Sequence, residues 1–250
     1  MKLIAIFAQV RIKGLSSSGT IAAIAAALLC AAAGWTWLIL LLAFYVSSTL
    51  LSRFHSDAKL ARAGNVVAKG GDRDMWQVAA NGSVFTAVAL LSALTHSPAL
   101  FGAGAGAIAA SAADTWATEI GTLSSQIPRS IISLERVPVG TSGGITLAGL
   151  AGSAAGALFI GVAAIILGWP LKVGAAALIG GLAGSLIDSI LGATLQSRRW
   201  CTTCDLGTER VVHTCGTTTL PAGGLGWMEN DLVNFFCSLA GALLGYLSFA

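Results

Sequence analysis

The chain has 250 residues, of which 55% are hydrophobic and only 10% are charged, and its formal net charge is +3. A soluble domain carries about 25% charged residues, so this composition excludes an ordinary soluble protein and predicts an integral membrane protein. Apolar runs of roughly 20 residues recur, which indicates α-helical spans rather than the alternating pattern of a β-barrel. No nucleic-acid-binding module is evident in the sequence.

The predicted fold is an all-α polytopic membrane protein with seven transmembrane helices in a single domain, residues 1–250. In chain order the spans are predicted near residues 17–33, 35–53, 75–95, 98–120, 143–168, 171–196 and 228–248. The apolar stretch 3–10 is short and is followed by Arg11 and Lys13 rather than by a small-residue cleavage site. It is predicted to be an interfacial segment, not a signal peptide.

The basic residues fix an orientation for these spans. With seven spans, thirteen of the fourteen Lys and Arg residues fall on one side, and Lys172 alone lies opposite. The positive-inside rule then predicts a cytoplasmic N-terminus and an external C-terminus. The glycine-rich strings FGAGAGAIAASAA and LAGLAGSAAGA predict close helix packing, because small residues let helix backbones approach. A nucleotide-binding glycine loop is disfavoured, since no strand precedes the glycines.

Three acids, Asp114, Glu119 and Asp188, fall within predicted spans, in their cytoplasmic halves. A charged side chain at mid-helix costs about 2.5–3.5 kcal/mol, so such acids need a partner or a function. One interpretation is that they reach the headgroups or pair with loop arginines. The favoured one is that all three are catalytic ligands of Mg²⁺, which prefers carboxylate oxygens, water and phosphates. Asp114 and Glu119 are five residues apart, about 140° around a helix, so either the helix is distorted or they serve different ions.

Other polar residues are predicted to meet in the same cytoplasmic layer and to bind phosphate groups. The motif VPVGTSGGIT is expected at the start of the fifth helix, where free backbone amides favour an anion. The alternative interpretation is a helix cap with topology-setting charges. The residues in this predicted phosphate-binding set are Lys69, Arg73, Gln77, Asn81, Arg129, Arg136, Thr141, Ser142, Gly143, Gly144, Asn230, Asp231 and Asn234.

The motifs GDRDMWQVAANG, ADTWATEIGTLSSQIPR, VPVGTSGGIT and WMENDLVN resemble those of the integral membrane family called domain of unknown function 92. That family includes transmembrane protein nineteen and the plant and cyanobacterial phytyl-phosphate kinase. The resemblance covers nearly the whole chain and adds Asp74 to the predicted phosphate-binding set. The family's recurrent polar residues match Arg73, Asp74, Gln77, Asn81, Asp114, Glu119, Thr141, Gly143, Gly144, Asp188, Asn230 and Asn234, and in many relatives the position of Asp231 is also acidic.

The resemblance implies transfer of the terminal phosphate of a nucleoside triphosphate, CTP or ATP, to a prenyl monophosphate such as phytyl or geranylgeranyl monophosphate. The product would be the diphosphate used in tocopherol or quinone synthesis, in a bacterial inner, thylakoid-type or plastid membrane with the active site facing the cytoplasm. A phosphate oxygen is already a competent nucleophile, so such an enzyme needs positioning and charge neutralisation more than a general base. The alternatives are a prenyl-alcohol kinase or cytidylyltransferase, and a transporter or scramblase of isoprenoid phosphates, because buried acids also mark ion pathways.

The last predicted cytoplasmic loop, residues 200–216, contains the sequence CTTCDLGTERVVHTC. Its Cys201, Cys204, His213 and Cys215 offer four soft ligands, which predicts a structural Zn²⁺ in a small ribbon-like loop. Free or redox-active cysteines are the alternative, and a disulfide is disfavoured on the reducing cytoplasmic side.

Overall fold

The structure is a computed structural model that describes residues 14–68 and 71–249. This part of the chain is mostly helical. The helices are α1 (Ser17–Ala33), α2 (Trp35–Arg53), α3 (Ser56–Ala63), α4 (Met75–Thr95), α5 (Ala99–Leu123), α6 (Leu147–Ile166), α7 (Lys172–Thr194) and α8 (Asn230–Phe249). The strands are β1 (Arg129–Ser130), β2 (Gly144–Ile145), β3 (Arg198–Cys201), β4 (Leu206–Thr208) and β5 (Leu220–Gly223).

Local capping residues define where several of the helices begin. Asp74 accepts hydrogen bonds from the backbone amides of Trp76 and Gln77, and the Gln77 side chain accepts one from the Asp74 amide, which is a complete capping box at the start of α4. Ser16 caps α1 and Thr146 caps α6 in the same way. These caps satisfy backbone donors that the first turn of a helix leaves without partners.

The seven long helices of the described residues alternate in direction, so the segments 54–68, 71–74, 124–146 and 195–229 lie together at one end, called here the polar end. The Ser16 amide donates to the Arg73 carbonyl oxygen at 3.0 Å, which places the start of α1 beside the start of α4. Ser52 Oγ lies 2.6 Å from Glu119 Oε1, which places the end of α2 beside the end of α5.

Helix α5 lies at the centre of the bundle. Leu100 and every residue from Gly102 to Ala113 are buried, and a helix buried all round is one enclosed by others. A methyl group at Gly180 of α7 would lie 2.6 Å from the Gly241 carbonyl oxygen of α8 and 2.8 Å from Gly106 Cα of α5. The three backbones therefore meet at glycines, as the sequence predicts for the GAGAGA string.

An aromatic cluster closes the end of the bundle opposite the polar end. Trp37 has ring centroids 5.3 Å from Phe85, 5.8 Å from Phe101 and 4.5 Å from Trp169. Trp169 Nε1 donates to Thr36 Oγ1 at 3.0 Å, which satisfies the indole donor.

Within the described residues, five helices are long and apolar enough to cross a membrane: α2, α4, α6, α7 and α8. Helix α1 is apolar but has 17 residues, and α5, which contains Asp114 and Glu119, is not among the five. Large apolar side chains face outward along the helices, for example Leu50, Leu94 and Ile166 at 66%, 80% and 78% exposure. The polytopic helical class is confirmed, whereas the seven-span count and the orientation stay predictions. The predicted interfacial stretch 3–10 lies outside the described residues.

Several elements at the polar end were not predicted. Helix α3 is short, and the strands form two small antiparallel sheets, one with order β1-β2 and one with order β4-β3-β5. The second sheet lies between α7 and α8 and carries the cysteine motif, because Cys201 ends β3. The fold is therefore helical with a small β-structured insertion.

Candidate active-site cavity

A cavity of about 830 Å³ lies at the polar end of the bundle. Thirteen of the predicted site residues line it: Arg73, Gln77, Asn81, Asp114, Glu119, Thr141, Ser142, Gly143, Gly144, Asp188, Asn230, Asp231 and Asn234. Asp74, Arg129 and Arg136 are not part of its lining, and Lys69 lies outside the described residues.

Asp114 of α5 and Asp188 of α7 face each other across the floor of the cavity. The two carboxyl groups lie close enough to interact with each other. The Oδ2 atom of Asp188 is buried and has no hydrogen-bond partner within the described part of the chain. This arrangement fits a cation, because a cation between two buried carboxylates would offset their mutual repulsion and satisfy the buried oxygen.

Glu119, the third predicted metal ligand, is held differently. Its Oε2 atom lies 2.5 Å from Lys59 Nζ of α3, and its Oε1 atom accepts a hydrogen bond from Ser52 Oγ. Ser52 in turn accepts a hydrogen bond from Arg73 Nη2 at 3.2 Å. Both side chains of the ion pair are largely buried, at 10% exposure for Lys59 and 19% for Glu119.

Asp114, Glu119 and Asp188 do not form one group of neighbouring ligand atoms in the described residues. The geometric reason is the five-residue spacing on α5, which turns Glu119 away from Asp114. Glu119 faces α2 and α3, whereas Asp114 faces α7.

The TSGG segment lies before α6 rather than in its first turn. Gly144 belongs to β2, and α6 begins three residues later at Leu147 behind the cap Thr146. Gly143 has φ +75°, and a methyl group there would lie 2.5 Å from the Ser189 carbonyl oxygen of α7. Glycine at this position therefore lets the segment lie directly on α7, beside the residue that follows Asp188.

Three members of the predicted phosphate-binding set have structural contacts instead. Asp74 is the N-cap of α4 described above. Arg129 and Arg136 are exposed, and Arg129 Nη1 donates to the Leu134 carbonyl oxygen at 2.7 Å within its own turn. Their role in phosphate binding stays a prediction.

Glu209 is a cavity residue that sequence reasoning missed. It follows β4, and its carboxylate accepts hydrogen bonds from Ser142 Oγ, from Gln196 Nε2 at 2.8 Å and from the Ala68 amide at 3.3 Å. Burial raises the pKa of Glu209, while these hydrogen bonds act in the opposite direction. The only sequence signal was an acid placed between the CxxC and HxC motifs.

The cavity also contains an apolar region formed by the first helices of the bundle. Its side chains come from α1 and α2, among them Ile24, Leu41, Leu42 and Phe44. The polar groups and this apolar surface belong to the same space, so an amphiphilic molecule could contact both. The sequence showed the apolar helices but not which of their faces meet the acids.

The ionic groups of the cavity wall are unbalanced in the described residues. Six acids contribute to the lining, namely Asp114, Glu119, Asp188, Glu209, Glu229 and Asp231, against three arginines, Arg73, Arg199 and Arg210. Such a wall attracts cations and would admit an anionic ligand most favourably together with a cation.

The cysteine motif forms a separate cluster beside this cavity. The ligand atoms of Cys201, Cys204, His213 and Cys215 all lie within 4.8 Å of one another. Hydrogen bonds with Thr217 and His213 lower the pKa of Cys215 to about 6, and contact with Cys215 and Cys201 raises the pKa of Cys204 to about 11. The four residues predicted as ligands are therefore brought together, although the zinc ion itself stays a prediction.

These features define a polytopic helical membrane protein with a polar cavity at one end. The chain belongs to the family described as integral membrane protein DUF92, which it matches over residues 1–242. It is 30% identical to Protein PGR of Arabidopsis thaliana over 95% of this chain and 90% of that protein. It is also 30% identical to an uncharacterized membrane protein of Methanocaldococcus jannaschii, over 86% of this chain and 76% of that one. No solved structure matches the chain.

Proposed function

We propose that the protein is a magnesium-dependent phosphotransferase that moves the terminal phosphate of a nucleoside triphosphate, CTP or ATP, to an isoprenoid monophosphate. The observation that carries the proposal is the facing pair Asp114 and Asp188, with the buried Oδ2 atom of Asp188 lacking a partner among the described residues. Mg²⁺ is commonly held by one or two carboxylates together with substrate phosphates, so this pair is a sufficient protein contribution.

In this proposal Asp114 and Asp188 hold the ion, and Glu119 is removed from the predicted ligand set because it is paired with Lys59. Held by these two residues, magnesium would supply neutralisation of the charge that develops on the transferred phosphoryl group. The chain's own contribution is positioning: Arg73, Arg199 and Arg210 line the same space and can neutralise phosphate oxygens. No general base is required, because the acceptor phosphate is already ionised.

The apolar region of the cavity supports an isoprenoid substrate. A prenyl chain could lie against Ile24, Leu41 and Phe44 while its phosphate reaches the acids and arginines. Burying a chain of this kind contributes about 0.8 kcal/mol per CH₂ group, which is substantial for a long hydrocarbon. A water-soluble phosphate acceptor would leave this surface unused.

The test is product analysis with the purified protein in detergent. Phytyl and geranylgeranyl monophosphates, and in parallel the free alcohols, are incubated with magnesium and with CTP or ATP that carries the label either in the terminal phosphate or in the base. The proposal predicts a lipid diphosphate that contains the terminal phosphate and no base. Incorporation of the base would identify a cytidylyltransferase, and phosphorylation only of the free alcohol would identify a prenyl-alcohol kinase.

A third outcome would reject an enzyme altogether. Absence of any product, combined with movement of prenyl phosphates across the bilayer of liposomes that contain the protein, would identify a transporter or scramblase. Glu135→Gln is the matched control variant for these assays, because Glu135 is exposed in the loop between β1 and β2, away from the cavity lining.

A further inference from the structure

We propose that Cys201, Cys204, His213 and Cys215 bind one structural Zn²⁺, and that this ion holds Glu209 in the wall of the cavity. The inference does not rest on phosphoryl transfer. It rests on the geometry of the Cys/His cluster and on the contacts between residues 201–215 and the rest of the protein.

The distances within the cluster match a tetrahedral metal site. Cys201 Sγ and Cys215 Sγ are 3.6 Å apart, and His213 Nδ1 is 3.3 Å from Cys215 Sγ. Zn–S bonds of about 2.3 Å arranged tetrahedrally give sulfur–sulfur distances of about 3.8 Å. A disulfide would bring two sulfurs to about 2.05 Å, so the cluster has the spacing of metal ligands rather than of a bonded pair.

His213 gives a second observation. The residue is only 3% exposed, and its Nδ1 atom lies 3.3 Å from Cys215 Sγ, so this nitrogen faces the cluster. A buried imidazole with one ring nitrogen beside thiol groups has the arrangement of a histidine metal ligand. Three cysteines and one histidine complete the four-coordinate set of a closed structural zinc site, which leaves no position for a substrate.

Residues 201–215 contribute few buried apolar side chains that could stabilise this segment without a metal. Val211 and Val212 are 62% and 54% exposed, and Trp200 at the preceding position is 40% exposed. Small β-structured segments of this kind are commonly stabilised by metal, because their own core is insufficient. The ion would tie the end of β3 to the turn at His213–Gly216.

Glu209 lies between the two halves of the ligand set and contacts three other parts of the protein. Its amide donates to the Val66 carbonyl oxygen at 2.9 Å, and its carboxylate accepts from the Ala68 amide. The same carboxylate contacts Ser142, which precedes α6, and Gln196, which follows α7. A metal that fixes both sides of residue 209 therefore fixes the contact between the segment 65–68, the TSGG segment and the end of α7.

The first measurement is the metal content of the full-length protein, purified in detergent without added metal. We expect about one zinc per chain in the wild type and in Cys30→Ser, whose thiol is buried in α1 far along the chain from the cluster. We expect zinc to be lost in Cys204→Ser and retained in Glu209→Ala. A metal-free wild type, a stoichiometric metal other than zinc, or loss of zinc in Glu209→Ala would overturn the assigned site.

The second measurement is hydrogen exchange at the amides of Ala68 and Glu209, which report directly on the two Glu209 contacts. Removing zinc is expected to accelerate both together by about tenfold or more, with no change in the buried centre of α5. Because Cys204→Ser could fail to fold, the same exchange is followed in wild-type protein stripped with a mercurial reagent and then refilled with zinc. Acceleration confined to residues 201–217, with Ala68 unchanged, would overturn the link between the ion and the cavity.

Discussion

The cavity contains two acidic regions that differ in how the protein treats a buried carboxylate. In one, Glu119 has a cation from the chain itself, Lys59, together with the hydroxyl of Ser52. In the other, Asp114 and Asp188 have each other, and the Asp188 Oδ2 atom has no partner among the described residues. The first region is complete as it stands, whereas the second is stable only with a proton or a cation between its acids.

This difference in pairing distinguishes acids with a structural role from acids that can bind a ligand. Both acids on α5 are similar in sequence context, since ADTWATEIG contains them within one and a half turns. Their interaction partners distinguish the two acids. A fully paired acid contributes to packing and orientation, whereas an incompletely paired acid is available to bind a ligand. Each of the following predictions tests whether this separation is real.

The largest effect is expected from Asp114→Asn and Asp188→Asn. Each substitution removes one of the two oxygens that would hold magnesium, so we expect phosphoryl transfer to fall about 100-fold or more. The fold should be retained, because an amide in place of a buried carboxylate also removes a desolvation cost. The measurements are transfer rate at several magnesium concentrations and thermal unfolding in detergent.

Glu135→Gln serves as the control for that pair and should have activity within about twofold of the wild type, as expected for an exposed loop residue. Partial recovery of the Asp variants at high magnesium would support the loss of a ligand. Well-folded Asp114→Asn and Asp188→Asn proteins with normal turnover would reject the assignment of this region to the chemistry.

The sequence predicted the long helices closely because their signals are local. The predicted spans 17–33, 35–53 and 75–95 have the bounds of α1, α2 and α4, and the residues around Ser16 and Asp74 form caps that mark two of the starts. It also predicted that polar residues of several helices meet at one end, because the direction of a helix follows from the parity of the spans, and thirteen of these residues line the cavity. Helix α3 and the short strands were missed, since their stability comes from contacts rather than from periodicity.

Pairing between side chains was the part that sequence reasoning could not predict. Lys59 and Glu119 are 60 positions apart, and Glu209 and Ser142 are 67 apart, so no spacing rule connects them. The sequence predicts Lys59 only as a topology-setting charge, whereas in the structure Lys59 is buried beside Glu119. Composition and position within the span therefore predict both Asp114 and Glu119 as Mg²⁺ ligands. Only the side-chain contacts in the structure distinguish the two acids.

A smaller effect on turnover but a clear effect on stability is expected from Glu119→Gln. The change leaves the Lys59 ammonium mostly buried without its counter-charge, so we expect a loss on the order of 2 kcal/mol, below the roughly 3–5 kcal/mol of fully buried pairs. At a temperature where the variant stays folded, phosphoryl transfer should remain above about one tenth of the wild-type rate. Unfolding in detergent and the transfer assay are measured on the same preparation.

The double variant Lys59→Met with Glu119→Gln gives the matched comparison. Removing both charges should restore most of the stability lost by Glu119→Gln, with a coupling energy within the roughly 0.5–3 kcal/mol seen for contacting residues. If Glu119→Gln were instead fully stable and inactive, Glu119 would be a metal ligand after all, and the two regions would be one.

The smallest effect is expected from Ser52→Ala, which tests the role of the Glu119 region without changing any charge. Ser52 Oγ donates to Glu119 Oε1 at 2.6 Å and accepts from Arg73 Nη2 at 3.2 Å, so it connects the ion pair to an arginine that lines the cavity. Loss of these hydrogen bonds should cost about 1 kcal/mol of unfolding free energy.

Ser47→Ala is the matched control, because Ser47 lies on the same helix and its hydroxyl donates, within the described residues, to the Phe44 carbonyl oxygen of that helix. If Ser52 only supports packing, the KM for nucleotide should be the same in both variants. If it also orients Arg73 towards bound phosphate, the KM should rise several-fold in Ser52→Ala alone. A loss of turnover in Ser52→Ala as large as that in Asp114→Asn would contradict the division of the cavity, because it would make the Glu119 region part of the chemistry.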